Sequence, residues 1–138
     1  MILVDSSVWI DFLTGISSLP GSALKILVAE GSDICIADVN LMEVLRGIKK
    51  DRDYRKVKND LLSLPVLSPS GRESFVKAAE IYRTARQSGV TINSTFDCLI
   101  AVIAMENNAA ILHRDADFDR LAKIVKGLKI ISPETILI

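Results

Sequence analysis

Three aspartates stand at alternate positions near the end of the chain. Residues 109–119 read AAILHRDADFD, in which Asp115, Asp117 and Asp119 follow a short apolar run. Asp5 likewise follows directly on the apolar run MILV at the other end. Like charges this close repel one another, and the turn after a strand needs only one Asp. A bound divalent cation removes that repulsion, so the spacing indicates carboxylates gathered around a metal ion.

Two further acids lie in apolar stretches that have helical periodicity. Glu43 is in LMEVLRG and Asp97 is in STFDCLIAVIA. A charge on the apolar side of a helix is costly unless it is paired. Carboxylate oxygens suit Mg²⁺ or Mn²⁺, and such sites serve phosphoryl chemistry. His113 is the only histidine, which argues against a Cys–His zinc site and against a Ser–His–Asp triad.

Four of these acids also have purely structural explanations. Asp5 can be a helix N-cap or a turn residue. Asp97 has the spacing of a capping box with Ser94. Asp115 and Asp117 can be an N-cap and a first-turn acid that the helix dipole favours. These explanations stay open for each residue taken singly.

The remaining two acids have ion-pair alternatives. Glu43 can pair with Arg46, and Asp119 stands four residues before Lys123 on a predicted helix. We interpret Asp119 as a surface acid. For the other five, one shared cause is a better explanation than five unrelated ones, and a divalent cation is that cause.

Composition bounds the class of protein. The 138 residues fit one domain, and a net charge of zero argues against a uniformly basic nucleic-acid binder. Residues 46–58 nevertheless carry seven basic and two acidic side chains. Cys35 and Cys98 lie in apolar runs and are expected to be buried, reduced thiols. The longest apolar stretch, 98–105, is too short to span a bilayer, and no signal peptide precedes it, so a cytoplasmic protein is expected.

Short apolar segments alternate with helical ones along the chain. The pattern predicts strands at 2–4, 33–37, 65–67, 109–112 and 128–131. It predicts helices from Ser6 or Ser7 to Gly15, from Pro20 to Gly31, and at 38–49, 51–64, 71–88, 95–107 and from 115 onward. This alternation is typical of a single-domain α/β/α sandwich with a central, mostly parallel sheet. Ligands of such sheets bind outside the carboxyl ends of the strands, where the acids of the first and fourth strands stand.

The chain as a whole resembles a PIN domain and, within that family, the VapC-type toxin ribonucleases of toxin–antitoxin pairs. The resemblance is carried by ILVDSSVWIDFL, ADVNLMEVLRG, FDCLIAVIAMENNAAILHRDADFDRLA and a closing strand before Pro133, in that order. It implies a metal-dependent endoribonuclease that cleaves RNA phosphodiesters with a metal-activated water. The implied cofactor is Mg²⁺ or Mn²⁺.

The resemblance also implies which residues form the site. The implied catalytic acids are Asp5, Glu43, Asp97 and Asp115. Asp5, Asp97 and Asp115 are the implied metal ligands, with Asp117 as an accessory ligand or a supporting acid. Ser6 matches the small hydroxyl residue that often follows the first acid. His113 and Arg114 depart from the family's usual Thr or Ser before the last acids, and we expect His113 to end the strand rather than touch the site.

Partners follow from the same resemblance. It implies an RNA substrate, a cognate antitoxin and a homodimer, and it leaves tRNA, rRNA and mRNA equally open. The basic segment at 46–58 suggests contacts to the RNA backbone from Arg46, Arg52, Arg55 and Lys56. Two alternatives remain at this stage: a PIN-like module that binds without cutting, and a receiver-type signalling domain that binds Mg²⁺ with acids at strand ends.

Overall fold

Five short parallel strands form the centre of the computed structural model, which describes residues 1–138. The strands are β1 (Ile2–Val4), β2 (Ile34–Ala37), β3 (Val66–Leu67), β4 (Ala110–Leu112) and β5 (Lys129–Ile130). Their order across the sheet is β3-β2-β1-β4-β5. The all-parallel sheet confirms the predicted fold class. The order also rules out the receiver alternative, because doubly wound receiver sheets have the order 2-1-3-4-5.

Eight helices surround this sheet. They are α1 (Ser6–Thr14), α2 (Leu19–Ala29), α3 (Asp38–Leu45), α4 (Asp51–Leu62), α5 (Arg72–Gln87), α6 (Thr95–Glu106), α7 (Ala116–Ile124) and α8 (Pro133–Leu137). One hydrophobic core is built from the buried faces of α5, α6 and α7, and a second from those of α1 and α2. Helix α6 is the most buried helix, since every residue from Asp97 to Ala104 is buried. These two cores fix the sheet between layers of helices.

Asp5 caps α1, which is one of the two structural roles that the sequence leaves open for it. Two other features differ from the prediction. Helix α3 ends at Leu45 rather than near residue 49, because the amides of Gly47 and Ile48 bond to carbonyls three residues back and tighten the last turn. The short α8 was not predicted, since five residues give too little periodicity to detect.

The buried face of α5 is also rotated relative to the one that helical spacing predicts. That spacing places Phe75, Ala78, Ala79 and Tyr82 on one apolar side. The Phe75 side chain is instead 56% exposed. Ser74 is buried instead, and its hydroxyl donates to Glu106 Oε2 at 2.7 Å. Hydrogen bonding to the end of α6 therefore turns a small polar residue inward and leaves the aromatic ring outside.

The predictions for cysteines and membrane segments can also be compared with the structure. Cys35 and Cys98 are buried and unpaired, as expected. No single helix is long and apolar enough to cross a membrane; α1 and α2 pass that test only as a pair bent by 82°.

Trp9, the only tryptophan, lies on α1 beside an apolar cavity of about 430 Å³. The indole ring packs edge-to-face on Phe12, with 6.0 Å between ring centroids. Its Nε1–H is buried and has no hydrogen-bond acceptor. Leu27, Val28 and Leu61 complete the apolar walls nearby. An unsatisfied donor costs about 1–3 kcal/mol, so burial of the ring must offset that cost.

Candidate metal centre

The pairing of β1 with β4 brings the two acidic ends of the chain together. The strands are parallel and in register, with Val4 opposite Leu112. The amide of Asp5 extends the ladder by donating to Leu112 O at 3.0 Å. Asp5 and Asp115 then cap the helices that leave this edge, α1 and α7. This pairing makes β1 and β4 neighbours, as the placement of their acids at one edge of the sheet requires.

Three of the predicted acids form one cluster. Asp97, Asp115 and Asp117 each offer a carboxylate oxygen, and these oxygens all lie within 4.8 Å of one another. Oxygens that ligate one cation at its usual bond lengths lie no more than about 5 Å apart. Asp97 Oδ2 is buried and has no hydrogen-bond partner. The donor type, the spacing and the unpartnered oxygen all fit a divalent cation.

Burial and like charge shape the acidity of this cluster. Burial raises the pKa of Asp97 well above its usual value, and the neighbouring Asp115, Asp117 and Asp5 raise it further. Burial also raises the pKa of Asp5, although hydrogen bonds from Ser7 oppose the change. The negative charge of Asp115 also raises the pKa of Asp5, so the two capping acids interact electrostatically across the site. A cation would stabilise the ionised form of these carboxyls.

Hydrogen bonds to the Asp117 carboxylate connect the start of α6 to α7. Its Oδ2 accepts from the amides of Asn93 at 2.8 Å and Ser94 at 3.3 Å. Its Oδ1 accepts from Arg120 Nη1 at 2.8 Å. The amide of Ser94 is thus taken by Asp117, and the predicted capping box between Ser94 and Asp97 does not form. Because both its oxygens already accept hydrogen bonds, the geometry favours a supporting role for Asp117 over direct ligation.

Glu43 is linked to Asp5 through two polar side chains. Ser6 Oγ donates to Glu43 Oε1 at 2.7 Å. Asn40 is fully buried, and its Nδ2 donates to Ser6 Oγ at 3.0 Å and to Asp5 Oδ1 at 3.1 Å. Glu43 forms no ion pair with Arg46, the alternative that the sequence left open. Sequence analysis missed Asn40, although its position one turn before Glu43 places both on one face of α3.

An ion pair between the buried Asp11 and the half-exposed Arg114 holds the loop before Asp115. Asp11 on α1 is fully buried and accepts from Arg114 at two atoms, Nε at 2.5 Å and Nη2 at 3.0 Å. Ser18 adds a third hydrogen bond at 2.8 Å. Burial raises the pKa of Asp11, but these bonds outweigh burial and hold it below its usual value. The amide of Arg114 also donates to Ser7 Oγ, which itself donates to Asp5.

Sequence analysis did not detect this pair. The only local signal was one acid, Asp11, within the apolar run VWIDFL.

His113 supports the same loop. Its Nδ1 accepts from the amide of Asp115 at 3.0 Å, so Nε2 carries the proton that it shares with Asp119 Oδ1 at 3.1 Å. The ring packs on Phe118, with 5.2 Å between centroids. Asp119 is 64% exposed, as a surface acid should be, but its partner is His113 and not the predicted Lys123. His113 directly follows β4, as expected, and orients the backbone of Asp115.

The predicted RNA contacts form a separate exposed surface. Arg46, Arg52, Arg55 and Lys56 all lie at the end of α3 or on α4 with exposed side chains. Lys56 is already engaged by Asp60, with 3.0 Å between Nζ and Oδ2. The three arginines form no ion pair within the chain.

Sequence comparison places this fold and acid cluster among known proteins. The PIN domain family matches residues 2–124. "VapC ribonuclease Mb1587" of Mycobacterium bovis and "Ribonuclease VapC11" of Mycobacterium tuberculosis are each 37% identical over 125 residues, which is 90% of this chain and 93% of theirs.

Solved structures with the same fold include VapBC2 from Rickettsia felis bound to a promoter DNA fragment, with a TM-score of 0.71 at 21% identity. FitAcB from Neisseria gonorrhoeae has a TM-score of 0.72 at 18% identity. These alignments cover 95% and 97% of this chain and 98% and 99% of the matched chains. The fold and the acid cluster define an α/β protein with a candidate divalent-cation site at the carboxyl edge of a parallel sheet. The chain belongs to the PIN domain family.

Replacing Asp97 by Asn should stabilise the metal-free protein at alkaline pH. Because burial raises the pKa of Asp97 to about 9, the folded chain retains this proton over a pH range in which the unfolded chain, with an ordinary carboxyl, has lost it. Wild-type stability therefore falls as pH rises from about 5 to 8, and the uncharged variant should lack this fall. Urea unfolding in EDTA should show a gain of about 1 kcal/mol or more at pH 8 and a smaller gain at pH 5. Glu80→Gln is the exposed control. An Asp97→Asn variant less stable than wild type at pH 8 would contradict the assignment.

Replacing Arg114 by Met should destabilise the fold. The change leaves the buried Asp11 carboxylate with only Ser18 as a partner, and since the arginine is half exposed we expect a loss of about 2–3 kcal/mol. The double variant Asp11→Leu/Arg114→Met should recover most of that loss, because no buried charge remains. Urea titration of the two singles and the double completes the cycle. Additive losses would mean that the two side chains are not energetically coupled.

Proposed function

We propose that this protein is a VapC-type endoribonuclease that cuts RNA phosphodiesters with a divalent cation at the acid cluster. The cation is Mg²⁺ in this proposal, or Mn²⁺, which has the same preference for oxygen ligands. The observation that carries the proposal is the cluster of Asp97, Asp115 and Asp117, with one buried Asp97 oxygen left unpartnered. The names of the relatives at 37% identity support ribonuclease activity.

The acids have different tasks in this scheme. Asp97 and Asp115 hold the cation, with Asp5 completing the site from the neighbouring strand. Asp117 keeps the Asp97 carboxylate in place by binding the amides that precede α6. When bound, the cation neutralises charge on the attacked phosphate and lowers the pKa of a water.

Glu43 orients the attacking water and accepts its proton. Its Oε1 is held by Ser6, which leaves Oε2 to bond with water or substrate. Asn40 fixes both Ser6 and Asp5, so it keeps the distance between the base and the metal ligands constant. Water would attack the phosphorus as the P–O3′ bond breaks, and the departing 3′-oxygen would take a proton from solvent, which leaves a 5′-phosphate and a 3′-hydroxyl on the products.

The domain organisation, cellular location and partners of the protein are proposed on the same grounds. The 138 residues act as one PIN-like domain in the cytoplasm. A cognate antitoxin blocks the site, and two copies of the chain form a homodimer. Support for the antitoxin comes from the relatives' VapC names and from structural neighbours described as toxin–antitoxin complexes.

A cleavage assay tests the activity. A labelled RNA that the wild type cuts with Mg²⁺ should stay intact in EDTA. Asp97→Asn and Asp115→Asn should lose about 10²-fold or more in rate, because each weakens binding of the cation that stabilises charge on the reacting phosphate. Glu80→Gln removes the same charge at an exposed position of α5 and should cut at close to the wild-type rate. Products ending in 2′,3′-cyclic phosphate, or cutting that survives EDTA, would contradict the proposal.

The metal itself can be tested without RNA. Ligand that binds only the folded chain raises the free energy of unfolding, by about 2.7 kcal/mol at a hundredfold excess over Kd. Mg²⁺ or Mn²⁺ should therefore raise the melting temperature of the wild type and of Glu80→Gln. Asp5→Asn and Asp115→Asn should show a smaller rise. An equal rise in all four proteins would place the cation elsewhere.

Salt dependence tests the basic segment. Neutralising Arg52 and Arg55 together should weaken RNA binding and reduce the slope of log K against log salt by about 1.4, since each phosphate contact in a single strand contributes about 0.7. Lys25→Gln/Lys126→Gln is a matched control that removes two charges elsewhere. Fluorescence anisotropy of a labelled RNA with the metal-free protein measures both slopes. Equal slopes in the two double variants would make the segment a solvated surface.

A further inference from the structure

A polar cleft adjoins the acid cluster at Asp117. It has a volume of about 400 Å³ and is lined by Gly89, Val90, Thr91, Asn93, Arg120 and Lys123. Five of these six residues are not hydrophobic, and none is acidic. The cleft is therefore a positively charged space beside a strongly negative one.

One residue of the acid cluster contacts the lining of the cleft. Asp117 belongs to the cluster, yet it accepts hydrogen bonds from Asn93 and Arg120, which both line the cleft. A chain of phosphates that reaches the acids from this side must pass the cleft. The residues that line the cleft therefore extend the site beyond the acids that bind the cation.

Most of the donors in the cleft are still free. Arg120 has five N–H donors and uses one of them, on Asp117. Lys123 stands three residues further along α7, on the same helix face, and takes part in none of the ion pairs of the chain. The acid expected to neutralise Lys123, Asp119, is bound to His113 instead. Arg120 and Lys123 therefore place two positive charges with free N–H donors in this one polar cleft.

We propose that this cleft is a phosphate subsite in which Arg120 and Lys123 bind an RNA phosphodiester next to the one being cut. The inference rests on the proposed ribonuclease function and adds a second point of attachment to it. A planar guanidinium and a lysine ammonium are standard partners of phosphate oxygens, and Thr91 and Asn93 add neutral donors. The acid cluster repels a polyanion, so an adjacent cationic subsite lets the strand approach and fixes its register.

The subsite makes a specific kinetic prediction for Lys123→Gln. The variant should show a KM raised about tenfold with little change in kcat, because a lost charged hydrogen bond weakens binding of substrate and transition state alike. Its salt slope for RNA binding should fall by about 0.7. Lys126 lies two residues beyond the end of α7 and outside the cleft, so Lys126→Gln is the matched control. Arg120 is left unaltered in this test because it also holds Asp117.

Methylphosphonate substitution identifies the phosphate that is bound. A 5′-hydroxyl RNA with a single cleavage site is made with one neutral methylphosphonate at each position around that site in turn. At one position next to the cut, the substitution should raise KM about tenfold for the wild type and Lys126→Gln but have little effect for Lys123→Gln. Loss of the effect in that variant alone would tie Lys123 to that phosphate.

The outcomes separate this inference from the proposed function. If wild type does not cut RNA at all, the proposed function fails. If it cuts, and Lys123→Gln has the KM, salt slope and methylphosphonate profile of Lys126→Gln, the ribonuclease stands and the subsite is wrong. A fall in kcat without a rise in KM would also overturn the subsite, since it would assign Lys123 to the chemical step.

Discussion

Repulsion among buried carboxylates is the constraint on which the rest of the structure depends. Asp97, Asp115 and Asp117 stand within 4.8 Å, and Asp5 is close enough to raise the pKa of Asp97 further. Within the cluster, only the helix-cap bond from the Asp117 amide to Asp115 Oδ1, at 3.0 Å, opposes this repulsion when no cation is bound. The two hydrophobic cores and the surrounding hydrogen bonds must hold the carboxylates together against their repulsion. The free energy of unfolding is therefore lowered by the charges at this edge of the sheet.

The acids are held through the backbone at three junctions rather than on one rigid element. Asp5 caps the helix after β1, Asp115 caps the helix after β4, and Asp97 lies in the first turn of α6. Ser7 and the Asp11–Arg114 pair join the first two junctions, and Asp117 joins the last two. Each local motif is an ordinary helix start, and only their connection makes a site.

Local patterns in the sequence account for most of the elements and for the choice of acids. The strands are short and apolar, the glycine after α1 adopts the left-handed conformation that ends it, and parallel strands leave their acids at one edge. The supports of the site were not accessible in the same way. Arg114 contacts an acid 103 residues away, and Asn40 contacts one 35 residues away. A single sequence gives no measure of such long-range pairs, nor of the rotation of α5 that the bond from Ser74 to Glu106 imposes.

The position of Trp9 makes the protein its own optical probe. Tryptophan emission depends on the polarity around the indole ring, and this chain has one such ring, buried beside the apolar cavity and four residues after the Asp5 cap. Its spectrum therefore reports on a single location. Water entry, local loosening of α1 or occupation of the cavity would each shift the emission without any label, and no second indole would obscure the signal.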